Sequence, residues 1–491
     1  MCLAQLLNFF FPLNDFILYS NILFLTLFVF LKKNSINQIK IDKIVFILAL
    51  LISITNIFGS NFSDDLNHYH YSFISNTDST KYIWGLKHLH PLYGTSPIWL
   101  TGHSYFNFDY SRLQDIHVLN GLILFLFLGI FLSQFNSEKK LKTFFQPILF
   151  SLIIFVLLKY TRLKEFGIDR PAYLIFFISI YYYFKYLHKS DKEINSHFLI
   201  FSLMILCVFF IKVIFIFLLF IPFTYFYKNH KKIDILEKRY FLMFIFLLSY
   251  FVKNILISGC LIYPISSTCI NYFPWLEKNI VEQFSISTEI FNKSFPSYQG
   301  LLIENEYIKN FNWISNWFIR TKIELYEFLI TIVLVIIITL ASFRFKIVQK
   351  KKFINLLNFN KVLIIILFLS CMLFVIKNPN IRMNHHIFVI SMILFFTYLM
   401  NFGKFIFNKK TLLSFIFLSL FFNFSKNIKR IHEIGYQNDL NNYLVHKIYN
   451  SKKYNIGNFE YYVGWYGKGP LSTSELKDKT YKRIFIFDII F

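Results

Sequence analysis

The chain has 491 residues, of which 56% are hydrophobic and only 16% charged, and its mean hydropathy is +0.50. Soluble domains carry roughly a quarter charged residues, so a soluble enzyme, a disordered protein and a secreted disulfide scaffold are excluded; the relevant unit is a span of about 20 apolar residues. The net charge of +24 accompanies 66 Phe, 31 Tyr and only 15 Gly, a broad compositional bias, so the charge is no nucleic-acid signal and its placement matters more than its total.

The opening MCLAQLLNFFFPLNDF lacks a basic n-region and a small-residue cleavage site, and does not read as a cleavable signal peptide. Apolar runs follow at 14–31, 44–59, 116–134, 143–160, 171–187, 197–211, 212–227, 238–254, 324–341, 362–377, 386–401 and 411–425. Several are short for a bilayer core of roughly 30 Å. The stretch from His197 to Tyr227 reads as two short spans turning at Lys212, because the charge pattern then alternates. Every second linker is basic, with Lys32 and Lys33, Lys139 and Lys140, Lys189 and Lys192, Lys231 and Lys232, Lys350 to Lys352, and Lys409 and Lys410. That is the positive-inside pattern, and a uniform bias would load both sides.

The expected fold is therefore all-α and polytopic, with about 12 transmembrane helices over 1–425. The other side holds long extracytoplasmic loops at 60–115 and 255–323, the turn Thr161–Arg170, and a small extracytoplasmic segment, 426–491. That segment contains an amphipathic stretch, Lys426–Lys453, a Gly- and Tyr-rich piece, Gly457–Gly469, and a strand-like KRIFIFDIIF. Cys2, Cys207 and Cys371 read as small hydrophobes. Cys260 and Cys269 share one polar segment and pair only if it is extracytoplasmic.

The loop after the second span is richest in chemistry. Asp64 and Asp65 lie just past the membrane exit. A carboxylate at a dry membrane surface acts as a general base, and two adjacent acids hold a divalent cation, Mg or Mn, through oxygen. The alternative is that the pair caps a loop helix. The pairs His68/His70 and His88/His90 have a zinc-site alternative, but no HExxH or CxxC accompanies them. The turn KEFGIDRPAYL carries Glu165, Asp169 and Arg170 before Pro171. It is an ordinary helix start, or a turn facing the same cavity as Asp65.

Lys212 interrupts VFFIKVIFIF; a Lys in an apolar run is costly unless it turns out to water or binds an anion such as a phosphate. Lys253 and Asn254 lie at one membrane exit, and Lys377, Arg382, His385 and His386 at another. These cations run against the charge bias. They either snorkel or clamp a shared lipid phosphate. Trp313 and Trp317 look like an interfacial belt. Walker A, GxGxxG and GxSxG motifs do not occur in a supporting context, so ATP-driven or nicotinamide chemistry is not indicated.

The layout resembles the GT-C superfamily of multi-pass glycosyltransferases, which take sugars from polyprenyl-phosphate carriers and bear an acidic motif in the first long extracytoplasmic loop; here that motif is SDD, with Asp64 and Asp65. More narrowly, it resembles a group of bacterial envelope proteins related to GT-C. Their motifs are matched, in order over 44–390, by Asp65 with Tyr69 and His70, Gly85 with His90 and Ser96, Asp169, and Ile211 with Lys212. KNILISGCLIYP follows, with Lys253 in place of Arg and with Tyr263, and then Pro379 with Arg382. Asn380 stands where that group tends to have Asp.

The resemblance implies Asp65 as the base deprotonating an acceptor hydroxyl, with Asp64 assisting or binding metal. It implies Lys212, Lys253 and Arg382 as phosphate ligands and Tyr69, His70, His88 and His90 lining the sugar site. Asp169, Arg170, Asn254, Tyr263 and His385 complete the substrate-binding set. The implied partners are a polyprenyl-phosphate-linked donor, a glycan, lipid or protein acceptor and the bilayer, without nucleic acid. The implied location is the bacterial inner membrane, with the site on the periplasmic side. The competing readings are an O-antigen polymerase or ligase, a transporter or flippase for lipid-linked glycans, and a noncatalytic scaffold.

Overall fold

A computed structural model describes residues 1–31, 42–58, 69–106, 118–136, 145–161, 163, 167–187, 194–229, 238–294, 304–347, 354–400, 402–407, 409–437, 452–456, 459–463, 471–472, 479–484 and 487–490. The described chain is dominated by helices: α1 (Cys2–Asn8), α2 (Asp15–Leu31), α3 (Lys43–Phe58), α4 (Tyr71–Ser79), α5 (Ile98–Tyr105), α6 (Val118–Asn136), α7 (Gln146–Lys159), α8 (Asp169–Leu187) and α9 (Ile194–Ile211). Then come α10 (Phe220–Asn229), α11 (Lys238–Ser258), α12 (Lys278–Ser294), α13 (Glu304–Ile308), α14 (Ile314–Ser342), α15 (Ile354–Ile376), α16 (His385–Met400) and α17 (Lys409–Gln437). The fold is all-α, with small strand elements at its edges.

Four helical segments among the described residues are long and apolar enough to cross a membrane: Tyr240–Ser258, Ile314–Ser342, Ile381–Met400 and Lys410–Glu433. Six more apolar helical segments are shorter, among them Gln146–Lys159 and Phe198–Ile211. This is the pattern of a membrane protein. α7 is buried nearly all round, and Ala172–Ile180 of α8 is buried throughout, as expected of apolar helices at the centre of a bundle. α14 instead turns Ile319, Ile323, Ile330 and Val333 outward.

Apolar burial drives little helix association in lipid, so interhelical hydrogen bonds matter more there. One such network is buried where α3, α7 and α17 meet. Asn56 donates to Asn423 Oδ1 at 2.8 Å, Asn423 donates to the Leu157 carbonyl at 3.0 Å, and Arg430 donates to the Thr161 carbonyl at 2.7 Å. α17 continues unbroken through position 425, where the sequence placed the end of the last span. The long helix places Arg430 in that network.

α9 stops at Ile211; Lys212 is extended (φ −146°, ψ 119°), and a tighter 3-10 stretch, Val213–Leu219, leads into α10. The chain thus breaks where the charged residue interrupts the apolar run. An antiparallel ribbon, β1 (Phe343–Ile347) with β2 (Gly403–Phe407), ties the ends of α14 and α16. It lies in two segments read from sequence only as basic linkers.

The C-terminal segment forms β3 (Lys452–Ile456), β4 (Phe459–Val463) and the short β5 (Leu471–Ser472), then a hairpin of β6 (Tyr481–Ile484) and β7 (Phe487–Ile490). The hairpin falls in the strand-like end of the sequence. Ile490 N donates to the Trp84 carbonyl at 3.0 Å, and Ser472 Oγ to the Leu89 carbonyl at 2.9 Å. Tyr461 and Ile490 join Leu86, Leu89 and Tyr93 in a second buried cluster. The C-terminal strands therefore pack on the segment that carries Trp84, Leu89 and Tyr93. At Gly85 (φ +75°) an added Cβ would meet the Ile490 carbonyl oxygen at 2.2 Å, so this close approach needs a glycine.

Candidate functional site

A cavity of about 930 Å³ opens among α7, α8, the Lys212 break, the Tyr263 turn, α12, α14 and the segment before α16. Asp169, at the first turn of α8, is its electrostatic centre. One carboxylate oxygen meets Lys212 Nζ, and the other lies 2.9 Å from Arg382 Nε. Three segments far apart in sequence are thus pinned at one carboxylate. The groups are mostly shielded from solvent, with side-chain exposures of 17% for Asp169 and 9% for Lys212. An ion pair so shielded offsets desolvation only when its geometry is good.

Arg382 sits in a short 3-10 segment, Ile381–Asn384, whose start Asn380 caps by accepting from Arg382 N at 3.1 Å. Asn380 therefore serves as a cap. Arg170, next to Asp169, lies over the Tyr160 ring at 5.9 Å, and its Nη1 is buried with no hydrogen-bond partner among the described residues. His385 is held by several contacts, among them stacking on Phe328 at 4.4 Å. It stacks on Tyr173, its Nδ1 lies 3.3 Å from the Tyr160 hydroxyl, and its backbone N–H donates to the Tyr173 hydroxyl at 3.0 Å.

Most of the residues singled out in the sequence converge here. Tyr69, His70, His90, Asp169, Arg170, Lys212, Tyr263, Arg382 and His385 all line the cavity. Asp64 and Asp65, with His68 and Glu165, lie outside the described residues. Lys253, Asn254 and His88 are placed elsewhere. Lys253 Nζ donates to the Ser96 carbonyl, and Ser96 Oγ donates to Asn254 Oδ1 at 3.2 Å. Together they hold Ser96 at φ +29°, a left-handed conformation that costs a non-glycine residue energy.

His88 Nε2 donates to the Trp275 carbonyl at 2.9 Å, and its Nδ1 is 3.3 Å from Glu277. Burial, then the charges of Lys479 and Lys87, hold the His88 ring down at about 4, so it is neutral at pH 7 and its contact with Glu277 is no ion pair. Glu277 is held instead by Lys479 of the C-terminal segment. His88 and His90 thus face different partners, against a shared zinc site. Among the described residues no three His, Cys, Asp or Glu side chains gather as a metal-holding group.

Two further expectations meet the structure nearby. Trp313 is buried, and the half-buried Trp317 donates its indole N–H to the Pro379 carbonyl at 2.9 Å. Cys260 and Cys269 are joined by a disulfide.

Lys159, Glu324 and Glu327, which no motif marks in the sequence, also line the cavity. Glu324 interacts electrostatically with Lys159 and Arg382. Their signal was available: two acids three apart at the start of an apolar run, where charge is costly. The cavity is also lined by one face of α12, Phe284, Ser287, Thr288, Phe291 and Asn292, whose i, i+3, i+4, i+7, i+8 spacing is a helical stripe.

The chain belongs to the family described as a domain of unknown function (DUF8201), whose model matches residues 1–389. No curated protein and no solved structure matches it.

Proposed function

We propose that this family member is a polytopic membrane glycosyltransferase of GT-C type, moving a sugar from a polyprenyl-phosphate donor to an envelope glycan, lipid or protein. The observation that carries the reading is the convergence of first-loop residues (Tyr69, His70, His90) with Asp169, Arg170, Lys212 and Arg382 around one cavity. Cations at membrane depth suit a lipid phosphate, which Arg grips bidentately and Lys holds as a point charge. Asp169 offsets part of the positive charge, so the cations are positioned before any ligand arrives.

In this mechanism Asp65 takes the proton of the acceptor hydroxyl as its oxygen attacks the anomeric carbon. The bond from that carbon to the phosphate oxygen breaks on the opposite face, and Arg170, Lys212 and Arg382 stabilise the departing phosphate. Asp65 lies four residues before Tyr69, which lines the cavity. The proposal includes about 12 spans, with the shorter apolar helices crossing in a thinned or protein-lined bilayer, and places the cavity on the periplasmic side of a bacterial inner membrane. The Cys260–Cys269 disulfide supports that side, because disulfides persist in oxidising compartments. A divalent cation at Asp64 and Asp65 belongs to the same proposal.

The test is a glycolipid profile by mass spectrometry in a deletion strain complemented at matched membrane levels. Wild type should restore one hexose- or pentose-sized increment that Asp64→Asn/Asp65→Asn does not. If the double variant restores it fully, the first-loop acids are structural. A second reading, an O-antigen polymerase or ligase relying on Arg and His, is favoured by the described lining itself, with Arg170, Arg382, His70, His90 and His385. It would be selected if the Asn variant is active while Arg170→Ala and Arg382→Ala are not.

A further inference from the structure

The cavity lining divides by chemistry. Its charges come from α7, α8, the Lys212 break, α14 and the segment before α16, whereas the α12 stripe carries none. The charged residues of α12 in that stretch are turned aside: Glu289 pairs with Lys293 at 2.6 Å and with Lys377 at 2.5 Å. What faces the cavity is Phe284, Ser287, Thr288, Phe291 and Asn292, with Tyr263 stacked on Phe284 at 5.4 Å. Two polar atoms on this wall, Tyr263 Oη and Asn292 Oδ1, are buried without a hydrogen-bond partner among the described residues. Tyr263 is 4% exposed and Asn292 6%. An unpaired buried donor and acceptor are costly, and together they suit a ligand that both donates and accepts. Burial pushes the Tyr263 phenol up, so it stays a neutral donor. Gly94 makes the room: a Cβ there would meet the Tyr263 ring at 2.7 Å.

We propose that the wall formed by Tyr263 and the Phe284–Asn292 face of α12 binds an uncharged, hydroxyl-rich ring, a neutral sugar unit, and selects against acidic and amino sugars. Aromatic rings offer it an apolar face, and hydroxyls and an amide fix its orientation. This deepens, and rests on, the reading of the cavity as a sugar-transfer site.

The test is saturation-transfer NMR on the full-length protein in sugar-free lipid nanodiscs. The probes are neutral methyl hexosides (glucoside, galactoside, mannoside), methyl glucuronide and methyl glucosaminide. At least one neutral hexoside should bind and both charged probes should not. Tyr263→Phe should weaken that binding about fivefold, the loss of one hydrogen bond. Thr288→Lys should create glucuronide binding, a gain that misfolding does not mimic. The proposal is overturned if glucuronide binds wild type as well as any neutral hexoside, if no neutral hexoside binds, or if binding ignores both substitutions. The glycolipid profile judges the transferase reading separately. Should that profile ignore Asp64 and Asp65 while hexosides still depend on Tyr263, the wall stands and the transferase falls; the reverse result removes the wall alone.

Discussion

Lys212 and Lys253 are alike in sequence, each a single cation in an apolar run, yet the structure uses them oppositely. Lys212 reaches the cavity at a helix break and meets Asp169. Lys253, inside continuous α11, is buried against the Ser96 carbonyl in a packed shell beside the cavity lining. His88 and His90 repeat the contrast two residues apart: the first is bonded to Trp275, the second lines the cavity. The difference is one of backbone. A chain break lets a charged side chain turn to an open space, whereas an unbroken helix or a tight turn delivers it to whatever packs beside it. Cavity residues should then govern binding, and shell residues should govern stability with binding intact.

The sharpest break of this contrast is Asp169→Ala, which leaves Lys212 and Arg382 without their carboxylate. Stranding one side of a shielded ion pair costs about 3–5 kcal/mol, so the thermal midpoint in detergent should fall steeply. Lys212→Met in that background should recover part of the loss. If Asp169→Ala unfolds like wild type, the triad does not organise the cavity.

In the shell, His88 is held down at about 4 by burial, then by Lys479 and Lys87, against 6.5 when unfolded. The unfolded chain therefore binds the extra proton first, and the stability present above pH 6.5 is lost as pH falls towards 4, on the order of 3 kcal/mol. Denaturation midpoints measured across that window should drop, and His88→Gln should flatten the slope. Hexoside binding per folded molecule should not follow the slope.

Gly94→Ala lies between the two regions. Its Cβ would press on the Tyr263 ring, and overpacking of this kind costs about 1–3 kcal/mol. Here both the thermal midpoint and hexoside affinity should fall; a fall in stability alone would move Tyr263 from the cavity to the shell. The smallest effect is expected for Ser96→Ala, which removes the hydroxyl bonded to Asn254 but keeps the carbonyl bonded to Lys253. A loss of about 1 kcal/mol in urea or thermal unfolding, with affinity unchanged, would confirm the shell as structural.

Much of the architecture was readable because its causes are local. Apolar composition sets helices, the break at Lys212 follows from a charge in an apolar run, and alternation in KRIFIFDIIF reads as strand. The β1–β2 ribbon escaped notice because its partners are more than fifty residues apart and each half looks like a basic linker. In sequence Glu324 and Glu327 look like the edge of a span, and the α12 stripe like part of a long loop. No periodicity within one helix says which cavity its face will meet.

The order of residues alone determined that the chain is helical and apolar, where it must break, and which side chains are too polar to sit idle in such surroundings. Tertiary structure alone decided which of those side chains share a space. Asp169, Lys212 and Arg382 are separated by dozens to more than a hundred residues, and only the packing of α8, α9 and α16 brings them together. Propensity and hydropathy act over a few residues, whereas electrostatic pairing at a cavity depends on distances that the folded chain alone defines.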